Sequence, residues 1–187
     1  MKKELTLHLV PLTIVFLITS VFWLFSKVNF IQHISLFIGL GLGSFFLDID
    51  HFIYWFYTHT NLQESRIAKA AFKRNDYKSL LGLLAATHKG HVDLIFHHYF
   101  FQILLLTISL YVFSSTSTIF GKAFLLALNI HLLVDEFTDF KENPKHLQNW
   151  LFARSPKQIP QSHLQQYLFF FTSITLVFFF LLIKSRA

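Results

Sequence analysis

Five long apolar segments dominate this sequence of 187 residues and leave it few folds to adopt. They cover residues 5–25, 30–47, 93–114, 119–137 and 164–183. A helix needs about 20 apolar residues to cross a bilayer, and its backbone hydrogen bonds must be satisfied internally. Only 14% of the residues are charged, against about 25% in soluble domains. The sequence therefore predicts one all-α domain over residues 1–187, a polytopic membrane bundle of about five transmembrane helices with short interfacial helices.

Basic residues are distributed unevenly over the segments that connect the predicted spans. Twelve of the 16 Lys and Arg residues lie near the N-terminus or within residues 58–90 and 141–163, including Arg154 and Lys157. The positive-inside rule makes that side cytoplasmic, so we expect a multi-pass inner (plasma) membrane protein with a cytoplasmic N-terminus and Ala187 on the other side. The net charge of +6 then reflects topology, and membrane lipid, not nucleic acid, is the expected partner.

Two connecting segments have the composition of the membrane surface. The aromatic run Phe52–Tyr57 is typical of a belt at the headgroup level. Residues 58–79 place Arg66, Lys69 and Lys73 mostly on one helical face, which fits either a helix lying against anionic lipid or a solvated cytoplasmic loop. Residues 80–86 are apolar but too short to span, and they predict a short re-entrant or interfacial helix before Gly90.

Three clusters of acidic and histidine residues lie at the cytoplasmic ends of the predicted spans. They are Asp48, Asp50 and His51; His88, His91 and His98; and His131, Asp135 and Asp139. A carboxylate near hydrocarbon costs several kcal/mol unless it is paired, solvated or bound to a metal. The common depth of the clusters predicts that they meet at one membrane face.

Helical spacing orders the residues of the first cluster only in part. Gly39 and Gly43 form a small-residue pair that lets a second helix approach closely. Asp50 follows Gly43 by seven residues and shares its face. Asp48 would point the other way unless the helix unwinds there.

The second and third clusters leave further alternatives open. If a helix begins at Asp93 or earlier, His91 and His98 lie on one face, and Asp93 and His97 on another. Taken singly, His97 and His98 are more readily explained as interfacial histidines, and the same interpretation is adopted for His8 on the first span.

On the fourth span, His131 and Asp135 are one turn apart, the spacing from which helical bundles build metal sites. A simple hydrogen bond between them is the alternative. Glu136 lies off that face and is interpreted as solvated.

These residue types favour hydrolytic metal chemistry. The chain has no cysteine, so a metal would need His and carboxylate ligands, which suits zinc, with manganese or magnesium as alternatives. A metal with an open position activates water for hydrolysis. The predicted catalytic residues are Asp48, Asp50, His88 and Asp135. The predicted metal ligands and alternates are Asp48, Asp50, His51, His88, His91, His98, His131, Asp135 and Asp139.

The three clusters resemble the YdjM-like family of membrane-bound metal-dependent hydrolases. That family has a glycine-rich helix ending in Pro-Asp-x-Asp-His, a His-Arg-Gly segment and a His-x-x-x-Asp-x-x-Thr segment. Here residues 43–51, residues 88–90 and residues 131–138 match in order. Leu47 replaces the proline, His91 or the His97–His98 pair replaces a missing histidine, and His33 matches an upstream histidine weakly. The resemblance implies a helical scaffold related to zinc-dependent phospholipase C and P1-type nucleases, hydrolysing a phosphoester, with phospholipid as one candidate.

Two other classes of function compete with a hydrolase. A metal-ion binding or transporting membrane protein without hydrolytic activity should show polar residues near the middle of its spans, lining a path. The central stretches of the first, third and fifth segments are almost free of them. A purely structural protein would leave the acidic residues unexplained.

Overall fold

The computed structural model describes residues 2–115, 117–155 and 158–185, with side chains described from Thr6 onward. In this part of the chain every regular element is helical, which confirms the all-α prediction. The helices are α1 (Lys2–Phe25), α2 (Phe30–Phe46), α3 (Ile49–Ile53), α4 (Gln63–Lys73), α5 (Tyr77–Thr87), α6 (Tyr99–Ser115), α7 (Ile119–Glu142), α8 (Pro144–Leu151) and α9 (Gln161–Lys184). A π-helical turn (Tyr54–Thr58) continues α3, and a 3₁₀ turn (His88–Gly90) follows α5. Lys157, Arg186 and Ala187, which the topology prediction uses, lie outside the described residues.

Three helical segments among the described residues are long and apolar enough to cross a membrane. They are Thr6–Phe25, Phe30–Thr58 and Gln161–Lys184. The expected third span is shorter than predicted, because α6 has 17 residues, or about 25 Å at 1.5 Å per residue. The expected fourth span, α7, has 24 residues but is more polar. The structure therefore supports a membrane protein by length and composition, with three such helices instead of the five expected.

Helix α7 is the centre of the bundle and packs against α1, α2, α6, α8 and α9. Its closest neighbour is α2. A Cβ atom at Gly39 would lie 2.8 Å from the Cβ of Ala123, and one at Gly43 would lie 2.6 Å from the Cβ of Ala127. The predicted small-residue pair is thus confirmed, and it lets the two backbones approach more closely than larger side chains allow.

The two ends of the bundle differ. At one end, the Trp23 indole N–H donates to the carbonyl of Ile183 at 3.0 Å, and the Lys122 ammonium donates to the Ser185 hydroxyl at 3.0 Å. At the other end, where α1 begins and α7 ends, the shorter helices α4, α5 and α8 cover the bundle; we call this the capped end. All three polar clusters lie there, as their common depth predicted.

The cap has an apolar core of its own, and this corrects the prediction of an aromatic belt. Tyr54 and Trp55 are buried with Ala68, Leu80 and Leu94, while Tyr57 is exposed. The π-helical turn directs the first two rings inward, against α4 and α5, instead of toward headgroups.

Large apolar side chains cover the outside of the long helices. Exposed examples are Phe25, Phe30, Phe100 and Phe169, on α1, α2, α6 and α9. A water-soluble protein rarely exposes contiguous apolar surface on this scale. This surface therefore suits contact with lipid.

Candidate metal centre

A cavity of about 390 Å³ opens at the capped end. Its polar lining comes from His8 of α1, Asp48 and His51 near α3, His88, His91 and His97 of the following segments, and Asp135, Asp139 and His146 of α7 and α8. The remaining walls are mainly apolar and include Leu7, Phe45, Leu81, Leu84 and Val134. The cavity therefore joins a polar site to an apolar surface.

The centre of the site is a group of three residues from two helices. His8, His131 and Asp135 each offer one ligating atom, and these atoms lie within 4.8 Å of one another. His131 Nε2 is 3.2 Å from Asp135 Oδ2, and His8 Nε2 is 3.4 Å from Asp135 Oδ1. The rings of His8 and His131 are stacked with centroids 4.2 Å apart. Two imidazoles and a carboxylate at this separation form a donor set typical of zinc sites.

His131 is held in one orientation by the neighbouring helix. Its Nδ1 lies 2.8 Å from the carbonyl oxygen of Ser44, so Nδ1 must carry the proton and donate it. Nε2 faces Asp135 and also Asp48, whose Oδ1 is 3.8 Å away. Without a cation Nε2 donates a proton to the Asp135 carboxylate, and when it is deprotonated its lone pair can bind a cation. The contact depends on the close approach at Gly43, which precedes Ser44. A backbone partner of this kind is the usual support of a metal-binding histidine.

A break in the helix brings both acidic residues of the first cluster inward. Helix α2 ends at Phe46, and α3 begins at Ile49 after a turn, as the alternative of local unwinding required. Asp48 lines the cavity. Asp50 is buried and accepts the backbone N–H of Phe96. The two carboxylates therefore have different surroundings, one facing the cavity and one facing the segment before α6.

His97 bridges two carboxylates. Its Nδ1 is 3.3 Å from Asp50 Oδ2, and its Nε2 is 3.4 Å from Asp135 Oδ2. Burial disfavours the imidazolium, but the hydrogen bonds to Asp135 and Asp50 outweigh it and raise the pKa of His97 to about 9. His97 therefore lies between two carboxylates that both favour its protonated form.

A second group of histidines lies beside the first. His51 Nδ1 is 2.8 Å from His91 Nδ1, and His91 Nε2 is 3.3 Å from Glu64 Oε2 on α4. Burial lowers the pKa of His91, although Glu64 opposes the shift. His88 approaches from the 3₁₀ turn, its ring centroid 6.1 Å from that of His51. His51, His88 and His91 are thus brought to the cavity, but not into the group around Asp135.

Two predicted ligands are placed differently. His98 is not part of the cavity lining, and its Nδ1 accepts the backbone N–H of Phe100 at 3.2 Å. Asp139 lines the cavity, but its Oδ2 is 2.7 Å from His146 Nδ1 and accepts the indole N–H of Trp150 at 2.6 Å. Asp139 therefore ties α7 to α8.

The expected helical faces of the second cluster do not form. Helix α6 begins at Tyr99, and residues 91–98 have no regular helix. The acceptor of the Phe96 N–H is the carboxylate of Asp50 instead of a helical carbonyl. The non-helical backbone turns His97 toward the cavity and His98 away from it, although the two are neighbours in sequence and both are buried.

The interpretation of Glu136 as solvated is wrong. Glu136 is fully buried, and its carboxylate accepts hydrogen bonds from Gln102 Nε2 and the Tyr167 hydroxyl. Because helices surround α7 on several sides, the face that carries Glu136 packs against α6 and α9 instead of facing water.

Sequence reasoning missed two contributors to the site and left a third open. His8 is interpreted there as an interfacial histidine, and the contact of Glu64 with His91 is not predicted. His97 is left between an interfacial histidine and a substitute for the family's missing histidine. The signal for His8 is its depth, within one turn of the start of the first span, the same as that of the other clusters. Glu64 carries no comparable signal, since a single carboxylate on a polar helix is usually solvated.

No family model matches the sequence, and no curated protein or solved structure matches it either. The likeness of the three motifs to the YdjM-like family therefore stays a prediction.

Proposed function

We propose that this protein is a multi-pass inner-membrane hydrolase that holds a divalent cation, zinc most readily, at His8, His131 and Asp135. The observation that carries the proposal is that three ligating atoms lie within 4.8 Å of one another in the lining of the cavity at the capped end. These residues come from opposite ends of the sequence. A cation offsets the repulsion between Asp48 and Asp135, which both approach His131.

The donor set suits the proposed ion. Two imidazole nitrogens and a carboxylate oxygen are the ligand types of catalytic zinc sites, and manganese or magnesium would require a larger share of oxygen ligands. Asp48 is the nearest further ligand candidate, with its Oδ1 3.8 Å from His131 Nε2. When bound, such an ion would supply Lewis-acid polarisation of a phosphoryl oxygen and activation of water.

The chain's own residues divide the remaining chemistry. His97, held by Asp50, is a cationic proton donor beside the site, suited to binding an anionic phosphoryl group and to protonating a leaving oxygen. Asp48 lines the cavity with its Oδ1 3.8 Å from His131 Nε2, which suits a proton acceptor for water. Asp50 is proposed to orient His97 instead of acting on substrate directly.

The walls of the cavity favour a lipid phosphoester as substrate. Leu7 of α1, Phe45 of α2 and Leu81 of α5 form an apolar wall of the cavity, and Phe45 and Leu81 are also exposed on the outside. Lys89 adds a cation to the cavity lining, where it also pairs with Glu142 at 3.0 Å. A phosphate group near the histidines with its acyl chain along the apolar wall would match both parts of the lining.

The proposed topology has five spans, with α6 and α7 crossing beside the three longer segments. Buried in the bundle, α7 tolerates polar residues that lipid would not, and the polar end of α7 lies at the membrane surface. The capped end, with its basic α4, would face the cytoplasm.

A metal carrier is the competing proposal, and it requires ligands along a path through the bundle. The buried polar pair in the middle of the described bundle is Asn129 and Ser109, which hydrogen-bond each other at 3.0 Å. Neither is a strong zinc ligand. This favours a site at one end over a conduit.

The experiment compares Asp135→Asn with Asp76→Asn in purified protein. Both changes convert a carboxylate into an amide, but Asp76 is the exposed N-cap of α5, where Asn serves equally well. We expect Asp135→Asn to lower zinc affinity at least tenfold and to abolish hydrolysis of a fluorogenic phosphodiester and of phospholipid vesicles, while Asp76→Asn leaves both unchanged. Equal zinc content in the two folded variants would refute the metal centre. Zinc binding without hydrolysis of either substrate would favour the carrier.

A further inference from the structure

His91 lies between a carboxylate and a second imidazole. Its Nε2 is 3.3 Å from Glu64 Oε2, and its Nδ1 is 2.8 Å from His51 Nδ1. Both histidines are buried, and Glu64 is partly buried at the start of α4. The three side chains form a continuous row of hydrogen bonds from α4 to the cavity.

The hydrogen-bonding capacity of each group assigns the protons. An ionised carboxylate only accepts, so His91 Nε2 must carry a hydrogen to bond Glu64. A neutral imidazole has one N–H, which leaves His91 Nδ1 as an acceptor. The hydrogen in the short contact between the two Nδ1 atoms must then come from His51. His51 Nε2 is left with a free lone pair.

His91 has little freedom to adopt another arrangement. The Tyr54 ring stacks on it with centroids 4.1 Å apart and an interplanar angle of 17°, and the Trp55 ring meets it edge-on at 5.6 Å. Helix α4 is held in turn, because the Ser65 hydroxyl donates to the carbonyl of His59 at 2.7 Å. The position of Glu64 is therefore fixed by packing outside the cavity.

The nitrogen left free belongs to a residue of the cavity wall. His51 lines the cavity with His88, and its ring centroid is 5.8 Å from that of His97. We propose that Glu64 is a positioning residue: acting through His91, it holds His51 in the tautomer whose Nε2 is free to accept a proton or to bind a cation in the cavity. The inference rests on the proposed function for the use made of His51, but the tautomer itself is a property of the metal-free protein.

The test reads the tautomer directly. Protein labelled with nitrogen-15 histidine is studied in detergent without metal, by correlation spectra that show which ring nitrogen is protonated. His51→Gln and His91→Gln assign the signals by their loss. We expect His51 protonated at Nδ1 in the natural protein and shifted toward the Nε2-protonated form in Glu64→Ala. Asp76→Asn, which changes an exposed carboxylate, should leave the His51 signals unchanged.

A second measurement separates this inference from the proposed function. Zinc titration of Glu64→Ala shows which use is made of His51 Nε2. An affinity about tenfold lower, with a smaller loss in Glu64→Gln, which keeps an acceptor, would show that His51 adds a ligand to the cation. An unchanged affinity with a changed tautomer would assign His51 to accepting a proton. If His51 is protonated at Nε2 in the natural protein, or if Glu64→Ala leaves its signals unchanged, the inference is overturned. If the His51 tautomer changes as expected but the protein binds no zinc, the positioning role of Glu64 is supported and only the metal centre is refuted. If Glu64→Ala does not fold, the tautomer of His51 in the natural protein still tests the inference, because protonation at Nε2 would overturn it.

Discussion

Replacing Gly43 by alanine should lower both stability and zinc affinity, although Gly43 is not itself a proposed ligand. The new Cβ would lie 2.6 Å from the Cβ of Ala127 and 2.6 Å from the carbonyl oxygen of Phe124. Carbon atoms in ordinary contact are about 3.5–4.0 Å apart, so α2 and α7 would have to separate locally by roughly 1 Å. Overpacking of this kind costs about 1–3 kcal/mol of stability.

The separation also reaches the ligands. The hydrogen bond from His131 Nδ1 to the carbonyl of Ser44, now 2.8 Å, joins the same two helices one residue beyond Gly43. Lengthened by roughly 1 Å, it would pass out of hydrogen-bonding range. His131 would lose the partner that fixes its tautomer, and zinc affinity should fall by about 10–100-fold.

The matched control is Gly41→Ala on the same helix, where a Cβ meets nothing within 4 Å. Alanine in a helix is favoured over glycine by about 1 kcal/mol, so this variant should be as stable as the natural protein or slightly more so, with unchanged zinc affinity. Thermal unfolding in detergent and zinc titration measure the two effects. If Gly43→Ala and Gly41→Ala behave alike in both assays, the close packing of α2 on α7 does not support the site.

Two further predictions compare the adjacent residues His97 and His98 and locate two connecting segments relative to the membrane. His97→Asn should lower zinc affinity about tenfold, because it removes the hydrogen-bond partner that orients the ligand Asp135. His98→Asn should leave zinc affinity unchanged, and equal losses would mean that residues 91–98 do not turn His97 alone toward the site. A topology reporter inserted after Asn75 should be cytoplasmic and one inserted after Ser117 should not, and the same location for both would contradict crossing by α6.

The sequence predicted the first two long helices closely because its signals are local. Apolar length alone placed the end of α1 at Phe25 and the start of α2 at Phe30, as the structure has them. Small residues four apart predicted the contact at Gly39 and Gly43. The alternation of spans predicted that Asp48, His88 and Asp135 would lie at one end of the bundle. These inferences need only chain length and residue size.

The identity of the residues that meet depends on distances between helices, which no spacing along the chain encodes. His8 joins His131 because α1 packs beside α7, and a lone histidine on an apolar helix has no periodic partner to reveal it. Glu136 is buried because helices cover several sides of α7. A face that the sequence of α7 alone would place in solvent is therefore covered. His97 turns inward because Asp50 takes the N–H of Phe96 from the helix that would otherwise begin there. In each case the deciding contact joins residues far apart in sequence, so only the tertiary structure could supply it.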